Sequence, residues 1–294
     1  MSIHILLFYK FVPIKNPESF RVDHLKMCTK LGVRGKVLVA TEGINGSVSG
    51  TKKQVEEYKK VLRNDSKFRT IEFKEEKSLH HPFDKMEVKC KNEIIRLDKP
   101  VNMNHTGAYI SPKEFLQLYK EKKDVIILDA RNDYESDAGK FKNAMLAPIQ
   151  AFRQFPEFVK GMNVQKDKAI VMYCTGGIRC EKASAYMVEQ GFTNVKQLHG
   201  GIIRFCQEYP NTVWEGTCFV FDKRLTSSIG QEQSTVNTCI HCTMPSDFYR
   251  NCKNVDCNKL IFLCPECEKP FHECCSKDCM KIVLSGVRAK PSKK

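Results

Sequence analysis

The segment Lys168–Met187 constrains the fold more strongly than any other part of the chain. A β-branched run that includes Ile170 ends at Cys174, and a loop with two glycines follows. Apolar residues then recur at helical spacing, at Ala183, Tyr186 and Met187. The segment therefore predicts a strand, a tight loop and a helix in immediate succession.

The loop has the chemistry of an anion cradle. The first N–H groups of a helix have no intrahelical partner, and two adjacent glycines permit backbone angles that aim such groups at one point. The helix dipole and the Arg179 guanidinium should favour a thiolate at Cys174. We predict that Cys174 and Arg179 are catalytic and that the residues between them bind an anion. Those residues are Thr175, Gly176, Gly177 and Ile178.

This interpretation requires the Cys174 sulfur to be open to solvent and to face the loop amides. The alternative is a buried structural cysteine at the end of a strand, which the glycines and Arg179 disfavour. The loop resembles the active-site loop of rhodanese domains, in which four residues separate a cysteine from an arginine. By that resemblance Cys174 takes up sulfane sulfur as a persulfide. A related phosphatase family has a loop one residue longer, so the spacing here favours sulfur or a small oxidant over phosphate.

Three further residues are expected to support this site. The apolar run at 124–129 predicts a central strand of a parallel sheet, and it ends in Asp129 and Arg131. Because sites in α/β sheets lie at the carboxyl ends of strands, these two residues should share a rim with Cys174. We interpret them as structural supports ahead of direct catalysts. Cys180 either resolves an oxidised Cys174 through a disulfide or packs as a small apolar residue, and packing is favoured.

The first hundred residues predict a β-α-β-β-α-β order, which is the ferredoxin-like arrangement. Strands are expected at 3–11, 36–40, 47–49 and 70–73, and helices at 17–31 and 51–62. The glycine-rich stretch 42–46 predicts a turn. An alternating segment at 86–97 predicts an added hairpin or an edge strand.

The C-terminal end carries nine cysteines between Cys239 and Cys279. Their spacing is typical of metal ligands, and two tetrahedral zinc sites need eight thiolates. The predicted ligand pairs are Cys239 with Cys242, Cys252 with Cys257, Cys264 with Cys267, and Cys275 with Cys279. Interleaved use of the pairs, first with third and second with fourth, is preferred over sequential use, and both stay open. One of Cys274 and Cys275 is spare, and reduced free cysteines are the alternative to metal.

The charge and the distribution of apolar residues indicate which partners and which location to expect. The net charge is +14, and residues 1–100 hold 21 Lys and Arg against 13 Asp and Glu. This excess fits a polyanionic partner or merely a well-solvated basic surface. The chain has no apolar run long enough to span a membrane and no signal-peptide pattern at its start, so a cytoplasmic protein is expected.

The whole pattern predicts a multidomain fold of α/β and α+β class. We expect a ferredoxin-like, acylphosphatase-like domain at 1–97, a linker at 98–107, a rhodanese-like parallel α/β domain at 108–216 and a cysteine-rich zinc-binding region at 217–294. With the loop from Cys174 to Cys180 and the segment Gly216–Asp222, this order resembles the bacterial rhodanese-domain tRNA uridine hydroxylases.

The resemblance implies oxygen-dependent formation of 5-hydroxyuridine at the wobble position of tRNA. Cys174 would carry the activated oxygen or a persulfide, and Arg179 with the loop amides would stabilise its charge. Zinc, molecular oxygen and tRNA are the implied cofactors and partners, and a sulfur donor stays open as a further partner. No flavin or nicotinamide motif is present. Two alternatives stay open: a thiosulfate-type sulfurtransferase that uses a Cys174 persulfide, and a non-catalytic RNA-binding adaptor.

Overall fold

The N-terminal domain is a five-stranded sheet with two helices. The computed structural model describes residues 2–230, 232 and 235–286. The elements are β1 (Ile3–Phe11), α1 (Pro17–Leu31), β2 (Arg34–Ala40), β3 (Gly43–Gly50), α2 (Lys52–Asn64), β4 (Glu72–Ser78) and β5 (Met86–Cys90). The strand order β4-β1-β3-β2-β5 contains the predicted ferredoxin-like core, and β5 extends it as an edge strand parallel to β2.

The two faces of this sheet have different partners. Because side chains alternate along a strand, Leu6 and Phe8 of β1 pack under the two helices. Leu7 points to the opposite face and packs against the core of the middle domain. One strand therefore contributes to the core of its own domain and to a domain interface.

The predicted turn at 42–46 is wrong for four of its five residues. The strand β3 already begins at Gly43, and the turn is confined to Thr41 and Glu42. Glycine suits the middle of this strand because a methyl group at Gly46 would lie 2.7 Å from Val37 Cγ2 and 3.1 Å from Phe8 Cζ. The glycines of this stretch reflect close packing between strands. They were interpreted as turn residues because glycine is common in both settings.

The middle domain is a five-stranded sheet in which all strands are parallel, in the order β6-β11-β10-β7-β9. Its elements are β6 (Ala108–Ile110), α3 (Pro112–Lys120), β7 (Ile126–Asp129), α4 (Asp133–Ala138), β8 (Gly139–Phe141), β9 (Met145–Leu146), α5 (Phe155–Lys160), β10 (Ile170–Tyr173), α6 (Ile178–Glu189), β11 (Val195–Leu198), α7 (Gly201–Glu208) and β12 (Trp214–Gly216). The strand β12 pairs with β8 outside the main sheet. The predicted parallel α/β class is confirmed.

The remaining regular structure is short. The C-terminal region contains two small antiparallel pairs, β13 (Cys218–Phe219) with β14 (Thr226–Ser227) and β15 (Tyr249–Asn251) with β16 (Leu260–Phe262), and two helices, α8 (Pro265–Glu268) and α9 (Lys277–Leu284). Single 3₁₀ turns lie at Ser66–Phe68, Met103–His105 and Phe152–Gln154. The last eight residues of the predicted zinc-binding region lie outside the described residues. Within the described part of the chain, no helix is both long and apolar enough to cross a bilayer.

A buried ion pair holds the edge of the middle sheet at which β7 and β10 end. Both side chains of Asp129 and Arg131 are fully buried, and their closest N–O distance is 2.6 Å. Arg131 also donates to the Gly139 carbonyl oxygen at 2.6 Å, and the Tyr173 hydroxyl donates to Asp129 at 2.8 Å. The pair therefore joins the end of β7 to the end of β10 and to the start of β8.

Asp129→Ala should destabilise this domain strongly, because it leaves the Arg131 charge buried without its carboxylate. We expect a loss of about 3–5 kcal/mol in the free energy of unfolding. The measurement is urea unfolding followed by the fluorescence of Trp214, the single tryptophan, whose ring lies 5.3 Å from the Arg131 guanidinium carbon.

Glu157→Ala is the matched control, because Glu157 forms an exposed pair with Lys160 in the same domain. It should cost less than about 1 kcal/mol. Equal losses in the two variants would show that the buried pair does not hold the fold.

Candidate active site

The predicted loop lies where β10 meets α6. The strand ends at Tyr173 and the helix begins at Ile178, so Cys174 occupies the first loop position. Gly177 has a φ of 103°, a value that L side chains rarely adopt, and its N–H donates to the Cys174 sulfur at 3.2 Å. The sulfur therefore faces a loop amide, as the sequence predicted.

The surroundings of Cys174 favour the ionised form. Burial alone would raise the pKa of this thiol, but the Cys180 thiol, the Arg179 charge and the backbone N–H groups of Arg179 and Cys180 lower the pKa to about 5. Burial and the nearby Cys174 raise the pKa of Cys180 well above its usual value, so Cys180 keeps its proton and donates it. No disulfide joins the two cysteines.

Glu135 is a site residue that the sequence interpretation missed. Its carboxylate accepts two hydrogen bonds from Arg179, at 2.5 and 2.7 Å, and its side chain has no exposed surface. It lies in the first turn of α4, four residues after Arg131. An acidic residue just after the Asp129–Arg131 corner was the available signal. Because of this pairing, the Arg179 charge is shared between Glu135 and Cys174.

The expectation that Cys174 is open to solvent is wrong, so one of the two conditions that the sequence interpretation set for a catalytic Cys174 is not met in this arrangement of the chain. Cys174 has 0 % exposed surface. The strand β1 lies directly over the loop, since a methyl group at Gly176 would be 2.7 Å from Leu7 Cδ2 and one at Gly177 would be 3.0 Å from the Tyr9 hydroxyl. The pattern of the middle domain alone contains no sign of this cover, because it comes from a strand more than 160 residues earlier.

Buried polar contacts hold the N-terminal domain on the loop helix. The Tyr9 hydroxyl donates to Glu181 at 2.9 Å, and Lys182 pairs with Glu42 at 2.8 Å and with Glu93 at 2.5 Å. Burial and the Glu181 charge raise the pKa of Tyr9, so its hydroxyl stays a donor at neutral pH. Glu181 and Lys182, which lie near the start of α6, thus connect the two domains.

A cleft of about 950 Å³ opens between the two domains beside the loop. Its walls come from β1 to β3, from residues 90–98 and from the turn around Phe221. Thr175 and Arg179 lie on its floor, and Cys174 borders it without any exposed surface. Lys74 of β4 also lines it, and burial lowers the pKa of this lysine. The cleft is therefore a route by which a substrate could reach the loop once Leu7 and Tyr9 move.

The structure groups eight C-terminal cysteines into two clusters with the predicted interleaved use of the pairs. One cluster is Cys239, Cys242, Cys264 and Cys267, and the other is Cys252, Cys257, Cys275 and Cys279. Within each cluster the four sulfur atoms lie within 4.8 Å of one another. Cys274 belongs to neither cluster, and its thiol donates to the His272 carbonyl oxygen. Cys274 is therefore the spare member of the adjacent pair, and both clusters could hold a metal ion.

Curated relatives match almost the entire chain. A protein of Staphylococcus epidermidis named tRNA uridine(34) hydroxylase is 44% identical over 289 residues, which cover 96% of this chain and 90% of that protein. One of Bacillus licheniformis with the same name is 42% identical over 282 residues, which cover 94% and 87%. The chain belongs to the tRNA uridine(34) hydroxylase family. Three family models also match, described as UPF0176 acylphosphatase like domain (residues 3–94), Rhodanese-like domain (111–208) and Rhodanase C-terminal (215–280).

Several solved structures resemble part of this hydroxylase-family chain. The rhodanese-like domain of an Anabaena protein is 19% identical and has a TM-score of 0.33, over 38% of this chain and 80% of its own. A rhodanese-like domain protein from Staphylococcus aureus is 28% identical with a TM-score of 0.30, over 33% and 90%. The family assignment therefore rests on the relatives that match the whole chain.

Removing the Arg179 charge should make Cys174 harder to ionise. Because an opposite charge within about 4–6 Å lowers an acidic pKa by about 1–3, the Arg179→Met change should raise the pKa of Cys174 by a similar amount. Glu135→Gln is combined with it so that no buried carboxylate is left unpaired. The measurement is the rate of Cys174 alkylation by iodoacetamide against pH, resolved by peptide mass spectrometry.

In the unaltered protein the rate should rise as the pH passes through about 5 and stay level above it, since the thiolate is the reacting form. In the double variant the rise should come at higher pH. Cys28, whose pKa burial raises to about 12, is the internal reference and should stay unlabelled. Identical pH profiles for the two proteins would contradict a role of Arg179 in the ionisation.

Proposed function

We propose that this protein is an oxidoreductase that hydroxylates the wobble uridine of tRNA to 5-hydroxyuridine, with molecular oxygen as co-substrate. The observation that carries the proposal is the 44% identity over 96% of the chain to a relative named for hydroxylation of tRNA uridine 34. A tRNA substrate also accounts for the net charge of +14. Because the substrate is tRNA, the proposal includes a cytoplasmic location.

Cys174 is the proposed catalytic group, carrying either activated oxygen or, with a sulfur donor, a persulfide. A pKa of about 5 supports this role because the thiol is then almost fully ionised at neutral pH, and the thiolate is the nucleophile. Arg179 and the N–H groups of the loop from Thr175 to Ile178 stabilise the negative charge. Asp129 and Arg131 act as supports that hold the strand ends. Since Cys174 is covered, the reaction requires Leu7 and Tyr9 to move off the loop.

We also propose that each four-cysteine cluster holds one structural zinc ion. Four thiolates around zinc at about 2.3 Å have sulfur atoms roughly 3.8 Å apart, and the Cys242–Cys264 and Cys257–Cys275 sulfur distances are both 3.6 Å. The apolar core around these clusters is small, so zinc would supply much of the folding free energy of the region. The region matters to the site because the Tyr249 hydroxyl donates to the Tyr134 carbonyl oxygen of α4 at 3.0 Å.

A deletion strain tests the function. Wobble uridine is analysed by mass spectrometry after complementation with the unaltered gene, with Cys174→Ser and, as a matched control, with Cys206→Ser, a buried cysteine in helix α7. We expect 5-hydroxyuridine to be lost in the deletion strain. The unaltered gene and Cys206→Ser should restore it, and Cys174→Ser should not. Restoration by Cys174→Ser would point to an RNA-binding adaptor. Unchanged 5-hydroxyuridine in the deletion strain, with thiosulfate turnover by the purified protein, would point to a sulfurtransferase.

Substitution of neighbouring cysteines tests the metal. Cys275→Ser removes one ligand of a cluster, whereas Cys274→Ser leaves both clusters intact. We expect purified Cys274→Ser to keep two zinc ions per chain and Cys275→Ser to lose one to a competing chelator, because three ligands bind less tightly than four. The measurement is elemental analysis after dialysis. Equal zinc content in the two variants, or no zinc in the unaltered protein, would contradict the proposal.

A further inference from the structure

The size of the interdomain cleft limits what can enter it. Its volume of about 950 Å³ is at the upper end of the range for pockets that hold small ligands, about 300–1,000 Å³. A single nucleotide fits such a space, but a stacked and paired RNA helix does not. Enzymes that modify a base take it out of its stack for this reason.

The charges on the cleft wall suit a phosphate backbone. Each of its four carboxylates already has a cationic partner: Glu76 and Asp222 pair with Arg224, Glu93 with Lys182, and Asp98 with Arg96. By contrast, Lys36, Lys91 and Arg153 line the cleft and are exposed. None of them forms an ion pair within 4 Å of a carboxylate of the described residues, although the Arg153 charge helps to lower the pKa of the exposed Asp98. These three side chains are available to an anionic ligand.

Phe221 offers a flat apolar surface at the cleft. It is 61% exposed, and its ring lies 6.0 Å from the guanidinium carbon of Arg179. A tight turn fixes its position, because the Val220 N–H donates to the Leu225 carbonyl oxygen at 2.8 Å and Asp222 is paired with Arg224. An exposed aromatic ring on a braced turn is the feature on which unstacked bases commonly lie.

Asn132 supplies an unpaired polar group on the same wall. It is 6% exposed, and its Nδ2 donates to the Tyr134 hydroxyl at 2.7 Å. Its Oδ1 is the only buried side-chain oxygen without a hydrogen-bond partner in the described part of the chain. A buried carboxamide oxygen is costly to leave unpaired, and a ligand N–H would satisfy it.

We propose that this cleft binds one unstacked uridine of an RNA loop, with Phe221 stacked on the base, Asn132 accepting a hydrogen bond from uracil N3–H, and Lys36, Lys91 and Arg153 paired with neighbouring phosphates. The inference rests on the proposed function, which supplies the RNA substrate. Uracil carries a hydrogen on N3 and cytosine does not, so the Asn132 carboxamide distinguishes the two bases. In this proposal, residues of the cleft wall select the base that is placed beside Cys174.

Binding measurements on the full zinc-containing chain test the proposal. The probes are two fluorescent anticodon stem-loop RNAs that differ only in uridine or cytidine at the wobble position, and the readout is anisotropy. Phe221→Ala should weaken the binding of both RNAs about tenfold, because a stacking surface is lost, and Phe221→Trp should restore it. Phe248→Ala is the matched control, since Phe248 is 55% exposed and does not line the cleft; it should bind as the unaltered protein does.

The preference for uridine over cytidine tests the proposed contact with Asn132. The unaltered protein should bind the uridine RNA about tenfold more tightly than the cytidine RNA, and Asn132→Ala should bring the two within about twofold while keeping the pH profile of Cys174 alkylation. The proposal is overturned if Phe221→Ala and Phe248→Ala bind alike, or if the unaltered protein binds both RNAs equally.

The binding assay involves no turnover, so its outcome is separate from that of the proposed function. Binding that depends on Phe221 and on uridine, without any 5-hydroxyuridine formed, would support the cleft and refute the hydroxylase. Hydroxylation that depends on Cys174 but is unchanged by Phe221→Ala and Asn132→Ala would support the hydroxylase and refute the cleft.

Discussion

The rest of the site depends on the interactions that stabilise a buried negative charge on Cys174. A sulfur anion without exposed surface is stable only where donors and opposite charges replace water. The Gly177 amide and the Cys180 thiol donate to it, and Arg179 supplies the positive charge. Arg179 is itself held by Glu135, which lies on the helix that follows the Asp129–Arg131 pair. A continuous set of buried charges therefore connects the sheet edge to the Cys174 sulfur.

The three parts of the chain meet at this set of charges. The N-terminal sheet covers the loop with Leu7 and Tyr9 and forms one wall of the cleft. The cysteine-rich region contacts α4 through Tyr249, close to Glu135. Neither neighbour is needed to build a parallel α/β sheet, yet both touch elements that position Arg179. In this arrangement the regions on either side of the rhodanese-like domain add a cleft to its loop, and the cleft provides space for a substrate larger than a sulfane sulfur.

The sequence predicted what local patterns encode. The strand, loop and helix around Cys174, the order of the N-terminal elements and the cysteine pairs follow from spacing, because paired metal ligands and helix starts are short-range features. Spacing left both the interleaved and the sequential combination of the pairs open, and the structure has the interleaved one. The strand at Gly43–Gly46 was missed because glycine signals a turn as readily as close strand packing. Glu135 and the cover by Leu7 and Tyr9 were missed because they are long-range contacts, and no periodicity in the loop itself records them. The catalytic and binding roles of the site residues stay predictions.

The most direct test of the central claim is the ionisation of Cys174 itself. The ultraviolet absorbance of thiolate is titrated in the unaltered protein and in Cys174→Ser, and the difference between the two curves isolates one sulfur. The account predicts a single transition with a midpoint near pH 5, so that the anion is present throughout the neutral range. A midpoint near that of a free cysteine, about 8.5, would contradict it.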